Sequence, residues 1–346
     1  MSSAPRIVKS SKYNSIELFA GAGGLALGLE KAGISHLLLN EIDKHASATL
    51  RKNRPLWNVA CEDIKNIDFK PFKGVDLITG GFPCQAFSYA GKKRGLEDTR
   101  GTLFYEFARA LKESDAKVFL AENVRGLLSH DGGETIKTIV SAFEELGYHV
   151  YEPKLLKAIY HDVPQKRERI FIVGVKKEYK ERAKLSWPKE KKRVHNLKDA
   201  LKKGALYDCD VPKSDGQRYP EKKKKVLEQV PAGGYWRDLP LEVQKEYMQK
   251  SFFLGGGKTG IARRIAWDEP CLTLTCSPAQ KQTERCHPEE TRPFQVREYA
   301  RIQTFPDEWI FEGSVNQQYK QIGNAVPVNL SHAIGKTLVT LLKSLS

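Results

Sequence analysis

The feature that most constrains this chain is an alternation in its first half. Short apolar segments at residues 15–19, 36–39, 75–79, 117–121 and 169–175 have strand length, and the last is rich in β-branched residues. Between them, residues 25–32, 103–112 and 135–146 carry apolar positions at helical spacing. Strand and helix in turn predict an α/β fold with a doubly wound, mostly parallel sheet. The rhythm stops near residue 176, and 346 residues exceed what one core usually needs. A last apolar helix at about 330–342 is expected to return to the sheet. The expected division is therefore residues 1–185 plus 320–346 as one domain. Residues 186–319 would form a second, smaller, irregular and mostly β domain with a hinge.

The second region also holds much of the charge. The chain carries 57 Lys and Arg against 42 Asp and Glu, a net charge of +15, with a pI near 9.4. Residues 176–250 alone hold 21 Lys and Arg against 12 Asp and Glu, broken by five prolines. A folded protein this basic usually meets a polyanion, nucleic acid first. The lysine run 222–225 reads equally as a solvated patch or as a phosphate contact. A hydrophobic content of 40% excludes a disordered chain. No apolar run approaches the ~18 residues of a membrane helix, so no membrane association is expected. The first fifteen residues lack an apolar signal core, so export is not expected and the thiols should be reduced. Six scattered cysteines without a CxxC pair give neither a disulfide framework nor a metal site.

The first strand runs into Phe19-Ala20-Gly21-Ala22-Gly23-Gly24 and then a helix. Such a turn exposes backbone N–H groups and lets a ligand approach, although many similar turns only pack tightly. It is not GxGxxG, so a dinucleotide pyrophosphate is not its obvious ligand. Glu41 lies at the end of the second predicted strand, where a carboxylate can accept from ribose hydroxyls. Asp63, near the end of the third, could accept from an adenine amino group. An adenosine ligand without phosphates fits S-adenosylmethionine better than NAD.

A cysteine, Cys84, follows the strand at 75–79 in the frame Gly80-Gly81-Phe82-Pro83-Cys84-Gln85. The carboxyl end of a parallel strand is where such sheets bind their ligands, and this frame is a poor packing context for a thiol. Ala121-Glu122-Asn123-Val124 ends the next predicted strand, and Gln165-Lys166-Arg167-Glu168-Arg169 enters the last. Alternation along an extended segment should point Arg167 and Arg169 the same way, although such a pair also serves simply to neutralise surface acids.

FAGAGG, GGFPCQAFS, ENV, QKRER, REYARIQTFPD and QIGNAVP occur in this order. On these motifs the chain resembles the DNA cytosine-5 methyltransferases, particularly the compact bacterial enzymes of restriction–modification systems. The resemblance runs from about residue 15 to 330 except for about 186–297, where that family carries its target-recognition domain. It implies an S-adenosylmethionine-dependent methyltransferase fold and methyl transfer to carbon 5 of a cytosine in a short duplex DNA site, with S-adenosylhomocysteine as product. Cys84 would add to carbon 6 as a thiolate, Glu122 would hydrogen-bond N3, Arg169 would hold O2, and Arg167 would help fix the cysteine loop.

The resemblance further implies a methyl-donor pocket lined by Phe19, Gly21, Gly23, Leu25, Glu41, Ile42, Asp63, Ile64, Pro83, Leu103 and Asn324. Ile42 stands where the family often has a larger residue over the adenine. Residues 88–100 resemble the loop that closes over a flipped base, so Ser88, Lys92, Lys93, Arg94 and Arg100 are expected at the DNA. Arg263, Arg264 and Lys281 are candidate DNA contacts, and Thr273 and Thr275 resemble a backbone clamp. The expected partner is double-stranded DNA, in a bacterial cytoplasm and at the nucleoid, with a monomeric enzyme. A cognate restriction endonuclease is the further partner such a system can contain. Rival readings are the tRNA-methylating branch, a non-catalytic DNA-binding regulator on the same fold, and an NAD-dependent oxidoreductase, which leaves PCQ and ENV unexplained.

Overall fold

A computed structural model describes residues 11–82 and 102–346. Its centre is a sheet in which β1 (Tyr13–Leu18), β2 (Ile34–Asn40), β3 (Val59–Ala60), β4 (Leu77–Gly80) and β5 (Val118–Val124) are all parallel. The strand order is β3-β2-β1-β4-β5, so the winding reverses between β1 and β4. Beyond β5 the sheet turns antiparallel through β9 (Glu168–Lys176). The outer edge of β9 is shared by β6 (Tyr148–Val150), opposite residues 174–176, and β7 (Lys154–Lys157), opposite residues 168–171.

These strands are buried on both faces, as central parallel strands must be. Ile78, Phe119, Ala121, Ile170 and Ile172 face α3 (Leu103–Ser114) and α4 (Glu134–Glu145), where Phe104, Phe107 and Phe143 fill the layer. The alternate residues Leu77, Val118, Leu120, Phe171 and Val173 face α1 (Gly24–Lys31) and α10 (Val328–Leu345). The returning C-terminal helix is thus present, and it crosses α1 at close range. A Cβ on Gly28 would lie 2.2 Å from the Ser331 side chain. Among the described residues no helix is long and apolar enough to cross a membrane.

The second region differs from the expectation in two ways. Among the described residues between 186 and 319, the one strand is β10 (Cys271–Leu272), beside α5 (Leu197–Leu201), α6 (Glu221–Leu227), α7 (Leu241–Met248), α8 (Val296–Ile302) and the start of α9 (Val315–Asn324). It is not mostly β. Nor do the cores divide at 185 and 320: Leu197, Leu201, Phe294, Tyr299 and Trp309 pack with Leu27, Leu39 and Leu50 of the sheet domain in one cluster. A separate core forms over a narrower span, from Tyr219, Leu227, Trp236, Met248, Ile261 and Cys286. β10 joins this region to the sheet domain by pairing in parallel with β8 (Gln165–Lys166).

Candidate active site

The carboxyl ends of β1, β4 and β5 meet at the point where the strand order reverses, and a cavity of about 830 Å³ opens there. Its floor is the glycine turn. Phe19 (φ 57°) and Gly21 (φ 56°) take the left-handed conformation, and a Cβ on Gly21 would meet nothing within 4 Å, so bare backbone faces the cavity. Leu25, Ile42 and Val326 supply apolar wall, and Asn324 adds a polar side chain to the lining. Ile42 is 66% exposed, an open apolar surface rather than a buried stacking partner.

Glu41, at the end of β2, is held in place by backbone. Its Oε2 accepts from the Gly21 N–H at 2.7 Å and its Oε1 from the Asp43 N–H at 2.7 Å. Burial pushes this carboxyl up, opposed by those two donors. Each oxygen keeps a lone pair for a hydroxyl. Two cations line the cavity among the described residues, and both are committed: Arg169 to Glu122, and Lys320 to Asp43 at 3.1 Å. Nothing there awaits a phosphate. Bare glycine backbone, an anchored carboxylate and apolar walls fit the adenosine and methionine parts of S-adenosylmethionine.

Gly23, Asp63, Ile64 and Leu103, also expected at this pocket, are not among the described residues that line it. Gly23 is the left-handed N-cap of α1, and its Cβ would come 2.7 Å from Leu50. Asp63 accepts from the Lys65 N–H at 3.0 Å and caps a single 3-10 turn, while Ile64 is buried in the core beneath. Leu103 packs against the same core at the start of α3. Pro83, Cys84, Ser88, Lys92, Lys93, Arg94 and Arg100 lie outside the described residues.

Across the cavity, β5 delivers Glu122 and β9 delivers Arg169, whose Nε donates to Glu122 Oε1 at 2.8 Å. Burial pushes the Glu122 carboxyl up, with Arg169 and then Arg167 opposing. The next residue, Asn123, donates from Nδ2 to the Phe82 carbonyl at 2.8 Å and so anchors the strand end that leads to Pro83 and Cys84. Gly81 lies close against this carboxylate: a Cβ there would sit 2.6 Å from Glu122 Oε2. Arg167 does not reach this cavity. It is fully buried and donates to the carbonyls of Leu274 at 3.1 Å and Gly323 at 2.8 Å, tying the second region and α9 to β9.

The candidate DNA contacts of the second region divide. Arg264 is buried, giving its N–H groups to the carbonyls of Val230, His287 and Leu227 and to the Thr291 hydroxyl, so it holds the fold and cannot reach a base. Arg263 is paired with Glu269, and Lys281 lies over the Tyr247 ring at 4.8 Å. In the lysine run, Lys223 is an internal partner of the buried Glu284 at 2.6 Å. Thr273 donates to the Lys166 carbonyl, and Thr275 pairs with the Thr283 hydroxyl at 3.1 Å.

Sequence reasoning missed Glu17 and Lys320. Glu17 lines the cavity from β1 and is 1% exposed, accepting from the Thr79 hydroxyl at 3.4 Å. Burial pushes its carboxyl up to about 8. Its signal was a lone acid in the middle of the first predicted strand. Lys320, immediately before QIGN, had none.

Comparison with known proteins agrees with this geometry. The family model for C-5 cytosine-specific DNA methylases matches residues 13–340. The chain is 64% identical to the Type II methyltransferase M.Eco47II of Escherichia coli over 340 residues, covering 98% of this chain and 82% of that one. It is 61% identical to the Type II methyltransferase M.PspPI of a Psychrobacter species over 336 residues, covering 97% and 81%. Among solved structures, one described as a prophage-encoded DNA modification methyltransferase from E. coli superposes with a TM-score of 0.68 at 26% identity, over 96% of this chain and 100% of that one. With the family matched over nearly its whole length, this chain belongs to the C-5 cytosine-specific DNA methylases.

Proposed function

We propose that this enzyme methylates its DNA cytosine by covalent catalysis, with Cys84 as nucleophile and the Glu122–Arg169 pair as the clamp on the base. The family supplies the reaction: a methyl group passes from S-adenosylmethionine to carbon 5 of cytosine in double-stranded DNA, as in the modification arm of a restriction–modification system. The observation that carries the mechanism is the buried Glu122, paired with Arg169 on the wall of the donor cavity.

Carbon 5 is a poor nucleophile until a thiolate adds at carbon 6, which pushes electron density toward N3; once carbon 5 carries the methyl group, loss of its proton to a base expels the thiolate from carbon 6 and restores the ring. Glu122 meets that density. A carboxyl raised by burial retains its proton more readily, and so can share it with N3 as charge develops. Arg169 offsets charge at O2 and orients the carboxylate. Asn123 holds the Phe82 carbonyl and so sets where the cysteine segment starts. Bound S-adenosylmethionine supplies an electrophilic methyl on sulfur. Glu41 would receive its ribose, and the Phe19–Gly24 turn its methionine end.

The target carbon is reached only if the cytosine leaves the stack, at a cost of a few kcal/mol. Residues 88–100 are proposed to close over it. The unit with its own core, from Tyr219 to Cys286, is proposed to read the site. A monomer working in a bacterial cytoplasm, with a cognate endonuclease as partner system, completes the reading.

The test is incubation with labelled S-adenosylmethionine and mixed-sequence duplex DNA, wild type beside Cys84→Ser, followed by bisulfite sequencing. Methylated cytosines in one fixed context, absent with Cys84→Ser, are expected. Glu122→Gln should slow transfer about 10²-fold or more. Label in RNA alone would move the assignment to the tRNA branch, and binding without transfer would favour a regulator.

A further inference from the structure

Asn324, the last residue of α9, is exposed and lines the donor cavity beside Ala325 and Val326. Buried donors fix the backbone around it. Gln303 Nε2 donates to the carbonyls of Ile322 at 2.7 Å and Ala325 at 3.2 Å, and Arg167 to that of Gly323 at 2.8 Å. On one side this segment meets the glycine turn: Gly24 packs against the Val326 carbonyl with no room for a Cβ. On the other it meets the second region, where Gly323 packs as closely against the Thr275 carbonyl. That approach brings the exposed thiol of Cys276 onto the Asn324 side chain, with Sγ 3.1 Å from Oδ1. Among the described residues the thiol is the one hydrogen-bond partner of the Asn324 amide. A thiol donates its S–H and accepts only weakly, so it holds the oxygen and leaves the Nδ2 hydrogens free for the cavity.

We propose that Cys276 is a positioning residue for the methyl donor: its thiol turns the Asn324 amide so that Nδ2 donates to the carboxylate of the donor's methionine end. The inference rests on the reading above in which the Phe19–Gly24 turn takes that end. Asn324 stands two residues from the carbonyl that packs on Gly24, so an N–H presented there meets methionine, while Glu41 takes the ribose. A carboxylate entering this cavity needs such a donor. Glu17, Glu41, Asp43 and Glu122 already line it, and the cations Arg169 and Lys320 are paired. Without the thiol, the amide is free to turn its oxygen inward, and an oxygen repels the carboxylate that an N–H attracts.

The test uses the full-length enzyme and calorimetric affinity for two ligands, S-adenosylmethionine and its decarboxylated analogue. Cys276→Val, Cys276→Ser, Asn324→Ala and the double variant Cys276→Val/Asn324→Ala are compared with wild type. Cys276→Val should weaken S-adenosylmethionine about fivefold. Its affinity for the decarboxylated analogue, its affinity for duplex DNA and its melting temperature should stay at wild-type values. Cys276→Ser keeps a donor and should bind S-adenosylmethionine within about twofold of wild type. In the Asn324→Ala background, Cys276→Val should add no further loss, because the thiol acts only through that amide. An unchanged affinity in Cys276→Val, losses that add in the double variant, or losses equal for both ligands would overturn the inference alone. An Asn324→Ala that weakens neither ligand, or both equally, would overturn the placement of the methionine end with it.

Discussion

A single methyl group added at Gly81 separates the catalytic reading of Glu122 from a structural one. Gly81 has no positive φ, so alanine fits its backbone. The new Cβ would lie 2.6 Å from Glu122 Oε2, where ordinary contact begins at 3.4 Å, and the carboxylate must retreat by about 0.8 Å. Folding should notice little: the displaced atom ends a side chain, and an off-rotamer torsion costs about 1 kcal/mol. Catalysis should notice much more. A hydrogen bond to cytosine N3 needs roughly 2.6–3.2 Å, and a misplacement near 1 Å can cost about 10²-fold. That loss corresponds to about 2.7 kcal/mol of barrier. Gly81→Ala should therefore lower the single-turnover rate of methyl transfer about 10²-fold, with calorimetric affinity for S-adenosylmethionine within about twofold of wild type. A rate within threefold of wild type would refute the argument that Glu122 works at this position.

Glu17 should make stability depend on pH. Its carboxyl, at about 8 in the fold against an ordinary 4.5, is protonated in the folded protein and ionised in the unfolded chain at neutral pH. Stability is then fully present below about pH 4.5 and declines as pH rises through about 8, by about 1.4 kcal/mol per unit between them. Glu17→Gln should remove this decline and be about 3 kcal/mol more stable at pH 7 by denaturant titration; parallel pH profiles for the two proteins would mean Glu17 folds ionised. Arg264→Lys keeps the charge but cannot serve four acceptors, so it should lose about 2 kcal/mol while the salt slope of DNA binding stays put. A flattened slope with unchanged melting would return Arg264 to the DNA interface.

The parts legible in sequence were those set by local pattern. Strand-length runs such as 169–175 and the glycine turn after β1 identify themselves, because period and turn chemistry are properties of neighbours in sequence. The antiparallel direction of β9 was not, since it depends on β6 and β7, whose pairing is long-range. Glu17 looks from sequence like any strand acid; its burial follows from β1 having β2 on one side and β4 on the other. Asp63 was expected at the end of the third strand; β3 is two residues long and ends three residues earlier, and one Asp63 oxygen caps the next turn. In the motifs, the alternation argument expected Arg167 and Arg169 to point the same way. It failed for Arg167 because the strand breaks there, between β8 and β9, and the side chain turns inward to carbonyls.

The same failure explains the second region. A stretch with so many prolines and glycines cannot satisfy its backbone through long ladders, yet its buried carbonyls still need donors. Arginine side chains supply them. Arg264 serves three carbonyls, Arg285 those of Thr273 and Glu284, Arg297 those of Pro306 and Trp309, and Arg301 those of Ala200, Cys209 and Asp210. A guanidinium suits this work because it presents five donors in a fixed fork and keeps its charge when buried. The excess of positive charge that pointed to nucleic acid is therefore two populations. Much of the arginine is internal scaffolding for an irregular segment, whereas Lys157 of β7 and Lys166 of β8 are exposed and, among the described residues, have no ion-pair partner. Net charge identified the class of partner correctly, but two of the candidate contacts named from sequence, Arg263 and Arg264, are bound inside the protein.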